Sequence, residues 1–540
     1  MRRHPFVSLA GVVVVACAIA GGLWGRSALA TEDRLSAQYH VFTTALAAVE
    51  NGYIEKLPSD RLVYNSVGGM LQTLDPHSAF LDPKYYAQLR ERQEGHYYGL
   101  GITIASVDGE ITVVNDVFEG SPAYRRGIRR GDVIAKIEGQ VTRGWTSDDA
   151  VKKLRGPKGT SVHISVRRTG HEDLIEMDVV RDNVVIPSVT GAFMIGGDTG
   201  VVRLQEFAEN TDRDLGRALE DLKAKGMKRL VLDLRNNPGG PLDQAIRVAN
   251  RFLPQGSLIV STRGRIANSD QDYRATEPGA YTQMPVIVLV NRSSASASEI
   301  VSGALQDHDR ALVVGETTFG KALVQSVYHI SEGAGLALTT ARYHTPSGRL
   351  IQRPWDGTFD EYMNTPRDDV PERPHAANQV FYTDARRTVF GGGGIEPDKH
   401  LAGPLEGFTP SRFGRTLAAR QLFAGFAETF SAAGDTRVAP QKHVVGPDFV
   451  IDDARIRDFR DYCAGQRPPM KIDEAAFARD VDYIKAMIHF QVDVALFGVS
   501  EARRVLFGRD PQAQFALTQF PEAEKLAVLS RGKGIRAGGK

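Results

Sequence analysis

An α/β fold spread over several domains, with a central sheet flanked by helices, is what this 540-residue chain predicts. Three observations carry that reading. Between about Gly191 and Val314, short apolar runs alternate with amphipathic stretches, the rhythm of strands joined by crossover helices. From Gly99 onward, short alternating runs separated by glycine turns form a β-rich module of roughly 90 residues. The regions on either side of these two show helical spacing of their apolar residues. At ~150 residues per domain, the length suggests three or four domains.

Composition narrows the class. Hydrophobic residues are 42% and charged residues 24%, ordinary globular usage that excludes general disorder, a fibre and a polytopic membrane protein. Lys+Arg is 66 against Asp+Glu 65, a balance that gives no reason to expect nucleic acid. The only cysteines are Cys17 and Cys463, too few for a disulfide framework or a Cys-rich metal site. Cys463 reads as a small buried hydrophobe.

Residues 1–30 read as an export segment, not as fold. Arg2 and Arg3 give a positive start, Phe6 to Trp24 carries no charge, and Ser27-Ala28-Leu29-Ala30 ends in the small-residue pattern of a cleavage site. Three fates fit these residues: a signal peptide cleaved after Ala30, a membrane anchor left uncleaved, or a lipoprotein modified at Cys17. Each exports the rest of the chain.

The elements follow in order. Leu35, Tyr39, Phe42, Leu46 and Val49, then Leu62, Val63, Val67, Met70, Leu71 and Leu74, mark two helices that end at Asp75-Pro76-His77. The β-rich module has runs at Ile102–Ile104, Ile111–Val114, Val133–Ile137 and Val162–Val166, with one helix at Ser147–Leu154. Strands are expected at Val201–Phe207, Leu230–Leu234, Val286–Val290 and Ala311–Val314, and helices at Asp212–Lys225, Leu242–Leu253 and Ser298–Gln306. Trp355 to about Phe381, with Pro366, Pro371 and Pro374, reads as a long loop. Beyond Leu405 the pattern is helical, best seen in Phe477, Val481, Ile484, Ile488, Val492 and Leu496, a helix started by Asp473 and stopped by Gly498. From Ser530 the basic, glycine-containing end reads as a disordered tail.

Three segments could carry chemistry. Ser293-Ser294-Ala295-Ser296-Ala297-Ser298-Glu299 lies between a buried strand and a helix, where a hydroxyl sits near free backbone N–H groups. The same residues make Ser296-x-x-Glu299 a capping box. Lys321, in a glycine turn among apolar and neutral residues, could be desolvated enough to act as a base, or could be an ordinary surface lysine. Asp233 to Gly240 ends a strand in Pro-Gly-Gly, which lets backbone N–H groups face a ligand or simply makes a turn. No G-x-S-x-G elbow is present, and His308, twelve residues after Ser296, would lie about 18 Å along a helix.

Taken together these segments resemble the carboxy-terminal processing peptidases, or tail-specific proteases, of the Ser-Lys class. The resemblance spans nearly all of residues 31–400. It rests on Leu74–Ser78, Val231–Gly240, Ser294–Glu299, Gln306-Asp307, Gly315–Lys321 with Val324-Gln325, Tyr343–Arg349 and Gly392–Asp398, in the family's order. Its spacing of 25 positions between nucleophile and base implies Ser296 as the nucleophile for Lys321. It implies Gln325 as the residue that orients the lysine, which a helical i,i+4 relation would permit. The N–H groups of Gly240 and Ala297 match the oxyanion hole, with Gly239 the second choice, and Asp307 a supporting polar residue. Ala322 departs from the family's glycine after the lysine. The β-rich module resembles a PDZ domain. Gly99-Leu100-Gly101-Ile102 matches its carboxylate-binding loop, Thr103 to Val107 the strand that pairs with a peptide, and Gly120–Ala123 and Gly131–Ile134 complete the pattern. Arg155 matches a position that couples peptide binding to the protease site.

The resulting expectation is an exported serine endopeptidase with five segments. These are a signal or anchor (1–30), a helical region (31–92), a PDZ domain (93–184), a Ser-Lys peptidase core (185–404) and a helical C-terminal region (405–540). It needs no cofactor or metal. Its partners are protein or peptide C-terminal tails, with a membrane through the N-terminus and a second copy or an adaptor as further partners. Its expected location is the periplasm or cell envelope. A PDZ scaffold with a dead core, or a hydrolase with a His base, are the competing readings, and the intact Ser296, Lys321 and Gln325 and the missing serine elbow count against them.

Overall fold

The computed structural model describes residues 36–114, 117–168, 170–331, 333–355, 357–364, 376–401, 410–434, 443–466 and 469–537. The export segment, including Cys17 and Ala30, lies outside them. Among the described residues no helix is long and apolar enough to cross a membrane.

The chain divides into two compact units. The smaller comprises the described residues up to Pro83 with Val327–Leu338. It holds helices over 36–52 and Ser59–Leu71, and a strand Ala79–Leu81 that runs antiparallel to Gly335–Ala337. Tyr64 packs on Phe80 at 4.8 Å between ring centroids.

The larger unit contains the central sheet. Its strands are β1 (Val189–Ile195), β2 (Thr199–Leu204), β3 (Arg229–Asp233), β4 (Val286–Val290), β5 (Leu312–Gly315) and β6 (Lys399–His400), and they lie side by side in that order. β1 is antiparallel to β2, and every other pairing is parallel. The parallel connections demand crossovers, and helices α1 (Thr211–Ala224), α2 (Leu242–Asn250) and α3 (Ala297–Asp307) supply three of them.

Alternation along the strands explains why these runs are apolar at every position. Leu230, Leu232, Val286 and Val288 face α1, α2 and α3. Val231, Ile287, Leu289, Leu312 and Val314 face the other way, onto Phe507, Ala513, Ala516, Phe520 and Leu526. Those residues belong to α4 (Val499–Arg509), α5 (Pro511–Thr518) and α6 (Phe520–Ala537). The end of the chain is therefore the second cover of the sheet. α6 also corrects the expected tail: it stays helical through Ser530 to Ala537. Glu522, Ala523, Glu524, Lys525, Leu526 and Ala527 are good helix formers.

The PDZ-like module forms a sheet in the order Ile104–Val107, Glu110–Val113, Val133–Ile137, Ser161–Arg167, Ile175–Val180. Ile111, Val113, Ile134, Val162, Ile164 and Val166 fill its core. Its helix Ser147–Leu154 starts with a complete capping box of Thr146 and Asp149. Strands His96–Gly99 and Asp182–Val185 pair antiparallel and bring the two ends of the module together.

Residues 410–498 build a separate helical cluster around Phe423, Phe426, Phe459, Phe477 and Ile488. Cys463 is buried in it, and burial pushes its thiol up to about 12. The single helix expected from Asp473 to Gly498 is two, Glu474–Arg479 and Val481–Phe497. They break at buried Asp480, whose carboxylate accepts from the N–H and hydroxyl of Ser411 and the N–H of Gly414. The loop expected over 355–381 contains a short helix, Phe359–Asn364, held by buried Tyr362.

One ion cluster ties α5 to the sheet. Asp233, at the end of β3, accepts from Arg235 and Arg203, and Arg235 reaches on to Asp510 at 2.6 Å. Burial alone would raise the Asp233 carboxyl, but the Arg235 and Arg203 charges overcome it and hold the pKa to about 2. Asp233→Asn removes the carboxylate shared by Arg203 and Arg235, leaving Arg235 only Asp510, and is expected to cost about 3–5 kcal/mol in denaturant unfolding. The folded value lies below the ordinary 3.8, so the Asp233 contribution is complete above about pH 4 and is lost as pH falls through about 2. The stability difference between parent and Asp233→Asn should therefore shrink over that acid range.

Candidate active site

The loops that follow β3, β4 and β5 meet at the carboxyl ends of the parallel strands, where open α/β sheets place their sites. Each brings one of the three segments singled out above. Asn237 knits the first to the second: its carbonyl accepts from the Ala295 N–H at 3.0 Å and the Ser298 hydroxyl at 3.1 Å. The Ser294 carbonyl accepts from the Phe319 N–H at 2.9 Å and so joins the second to the third.

The three serines separate by their partners. Ser294 is buried, with its hydroxyl donated to the Leu234 carbonyl at 2.8 Å while accepting from the Asn291 N–H. Ser298 is buried and donates to Asn237. Ser296 is half-buried, and among the described residues its hydroxyl is given no hydrogen bond. It stands at φ 55°, ψ −112°, a conformation that non-glycine residues seldom adopt. Only one arm of the expected capping box is made in hydrogen bonds: the Ser296 N–H donates to Glu299 Oε2 at 2.8 Å. The strained backbone leaves the side chain free of the cap.

Glu299 is fully buried and gathers four donors from two loops. Besides Ser296, it accepts from the Thr318 hydroxyl at 2.6 Å, the Gly320 N–H at 2.7 Å and the Lys321 N–H at 2.9 Å. Burial raises its pKa, and these donors oppose the rise. Buried Tyr343 adds a second tie, its hydroxyl donating to the Ser296 carbonyl at 3.2 Å and to the Lys321 carbonyl.

Lys321 Nζ donates to Gln325 Oε1 at 2.8 Å. The helical relation expected for this pair is absent. Gln325 lies on a strand, Leu323–His329, and Lys321 precedes it in an extended turn. Valines at 324 and 327 favour the strand, and two long side chains close the gap. The Ala322 methyl is accommodated, fully buried, with its N–H donated to Gln352.

Gly239 and Gly240 pass close to the serine turn. A Cβ on Gly239 would lie 2.7 Å from Ser296 Cβ, and one on Gly240 would lie 2.0 Å from the Phe207 carbonyl oxygen. Both also have positive φ, so only glycine fits. The Gly239 N–H is spent on the Asn237 side chain. Among the described residues the N–H groups of Gly240 and Ala297 are given to no protein group.

The other candidates lie elsewhere. Asp307, at the far end of α3, is buried against Arg349 and accepts from the Ser347 N–H. His308 has both ring nitrogens engaged, with Asp384 and the Leu258 carbonyl. In the PDZ-like module Gly101 has φ 84° and packs against Ser121, while Leu100 is buried. Strand Ile104–Val107 is an edge, paired only with Glu110–Val113. Arg155 ends the module's helix, pairs with Glu91 and lies 4.6 Å over the Tyr97 ring. Among the described residues no group of histidines, cysteines and carboxylates is arranged to hold a metal.

Residues that sequence reasoning passed over are Glu299 as the link between loops, Tyr343, and the Tyr362 helix. Glu299 was readable only as a cap because its other partners lie some twenty residues on. Glu299→Gln turns an NH2 group toward N–H donors and is expected to destabilise by about 2–4 kcal/mol in denaturant unfolding. Faster hydrogen exchange at Gly320 and Lys321 should accompany it.

Residues 198–358 match peptidase family S41, and residues 88–167 match the PDZ domain. The chain is 41% identical over 308 residues to the carboxy-terminal-processing protease of Bartonella bacilliformis, covering 56% of this chain and 70% of that one. It is 32% identical over 344 residues to the carboxy-terminal processing protease CtpA of Bacillus subtilis, covering 63% and 73%. Among solved structures, the photosystem II D1 C-terminal processing protease aligns with 28% identity, over 68% of this chain and 93% of that one, with a TM-score of 0.34. With over two thirds of both curated relatives covered at these identities, the chain belongs to the carboxy-terminal-processing proteases, serine-type peptidases of family S41, and carries their PDZ domain.

Proposed function

We propose that this protein is an exported endopeptidase that cuts substrates near their C-terminal tails with Ser296 as nucleophile and Lys321 as base. The observation that carries the reading is the separation of the three serines: Ser296 alone keeps an uncommitted hydroxyl, on a strained turn cross-linked to the lysine turn through Glu299.

The chemistry follows from these groups. Neutral Lys321 takes the Ser296 proton as Oγ attacks the peptide carbonyl carbon. Gln325 Oε1 aims the amine by accepting one of its hydrogens. The oxyanion receives the N–H groups of Gly240 and Ala297. The C–N bond breaks as Lys321 returns the proton to the leaving amine. Water, deprotonated by the same lysine, then cleaves the acyl-serine ester. The PDZ loop Gly99–Ile102 holds the substrate's terminal carboxylate, and edge strand Ile104–Val107 pairs with its extended chain. Arg155 passes tail binding on to the core, a role that its position beside Gly99 and its ion pair with Glu91 support. The charge and apolarity of residues 2–24 and the small residues before Thr31 support export to the cell envelope, by cleavage, anchoring or lipidation.

Ser296→Ala is expected to abolish turnover of casein with an unchanged melting curve, whereas Ser294→Ala and Ser298→Ala should chiefly lose stability. Activity in Ser296→Ala would overturn the assignment. Lys321→Arg should be as inactive as Lys321→Ala, since a guanidinium does not deprotonate in a protein. Activity of the parent should rise with pH as the lysine loses its proton, and should persist in chelator. For tail recognition, a substrate peptide with a free C-terminal carboxylate is compared with its C-terminal amide. Equal cleavage of the two would sink the PDZ role.

A further inference from the structure

Arg353 sits beside the lysine turn in an unusual setting. Its N–H donates to the Gly320 carbonyl at 3.0 Å, one residue before Lys321. Its guanidinium lies 4.0 Å from the Phe319 ring centroid and 4.2 Å from that of Tyr362, and the two rings meet edge to face. Nε and Nη2 are buried and make no hydrogen bond. No carboxylate forms an ion pair with it among the described residues.

A half-buried guanidinium with two buried, unmatched nitrogens is a costly way to fill space between two rings, because a leucine or methionine would pack there without that cost. Cation–π attraction offsets part of it. What an apolar residue could not supply is the charge. Burial disfavours the charged form of Arg353, and Tyr362 and, to a lesser degree, the Glu299 carboxylate oppose that. Among the described residues, the groups around this spot include Glu299 from the start of α3, Tyr343 from strand Gly335–His344, Tyr362 from the short helix, and Lys321 with Gln325 from the turn and strand. The two tyrosines are held neutral by burial. Glu299 left alone would favour the ammonium form of Lys321, the wrong form for a base.

We propose that Arg353 is a positioning residue whose guanidinium, fixed between Phe319 and Tyr362, offsets the Glu299 carboxylate and keeps the Lys321 amine neutral. The inference rests on the reading of Lys321 as base. It also gives the helix Phe359–Asn364 a purpose, since Tyr362 is the outer half of the clamp.

The test is the pH dependence of kcat/KM on a free-tail peptide for the full-length protein and for Arg353→Met, Arg353→Lys and Tyr362→Leu, each checked for folding by thermal melt. A like charge held nearby inside a protein shifts a lysine's titration by about one pH unit. The rising limb of Arg353→Met should therefore move up by that amount, with kcat/KM about tenfold lower below the limb and near parental above it. Arg353→Lys restores the charge and should return the limb toward its parental position. Tyr362→Leu opens the guanidinium to solvent, should shift the limb in the same direction as Arg353→Met, and decides the matter if Arg353→Met does not fold. A uniform loss at every pH with the limb unmoved would mean that Arg353 only packs, and would overturn the proposal. Lys321→Ala separates this from the reading beneath it. An active Lys321→Ala removes the base itself, whereas an inactive Lys321→Ala with unmoved limbs in the folded variants removes only the Arg353 inference.

Discussion

The buried Glu299 carboxylate is the constraint on which the site depends. It stands at the first turn of α3, yet three of its four donors come from residues 318–321, in the loop after the next strand. A fully buried carboxylate must be satisfied by protein donors, so the two loops cannot separate without leaving it bare. Tyr343 repeats the tie from outside, bridging the carbonyls of Ser296 and Lys321. These bonds are made by backbone groups and by side chains other than those of Ser296 and Lys321.

The sheet supplies the rigid base for those loops. β3, β4 and β5 are apolar on both faces, and each face needs a cover. α1, α2 and α3 provide one, and α4, α5 and α6 the other. The C-terminal helices are therefore integral to the peptidase unit. They also reach the segment that leads to Gly240, because Arg235 joins Asp233 to Asp510 and Gln512. A movement of α5 would be felt at the end of β3, the strand that carries the Pro-Gly-Gly turn.

The helical cluster over 410–498 touches the PDZ domain in another manner. Arg130 donates to Gln491 at 2.5 Å, Glu428 packs against Gly131, and Arg420 stands 4.0 Å from Asp108. These are polar contacts near the surface, of the kind worth little individually. The cluster buries its own aromatic core. The cover that α4, α5 and α6 give the sheet is apolar, whereas these contacts with the PDZ domain are polar.

Periodicity and turn chemistry, which are local, made the strand and helix order of the core legible from the sequence, and the motif spacing brought out Ser296, Lys321 and Gln325 through the family resemblance. What stayed hidden depends on residues far apart in the chain. Ser294, Ser296 and Ser298 look alike in sequence, and only their partners Leu234 and Asn237, some sixty residues upstream, distinguish them. The Lys321–Gln325 spacing suggested a helix because four residues suit one, but the valines around it extend the chain. The break at Asp480 follows from Ser411, the Tyr362 helix from Arg353 and Phe319, and the helical end of the chain from the bare face of the sheet. The sequence by itself determined which segments are strands, helices and turns and which chemical groups they carry, since these follow from neighbours along the chain. Only the tertiary structure decided which of those groups hold the loops together, since a hydrogen bond or an ion pair is settled by proximity in space.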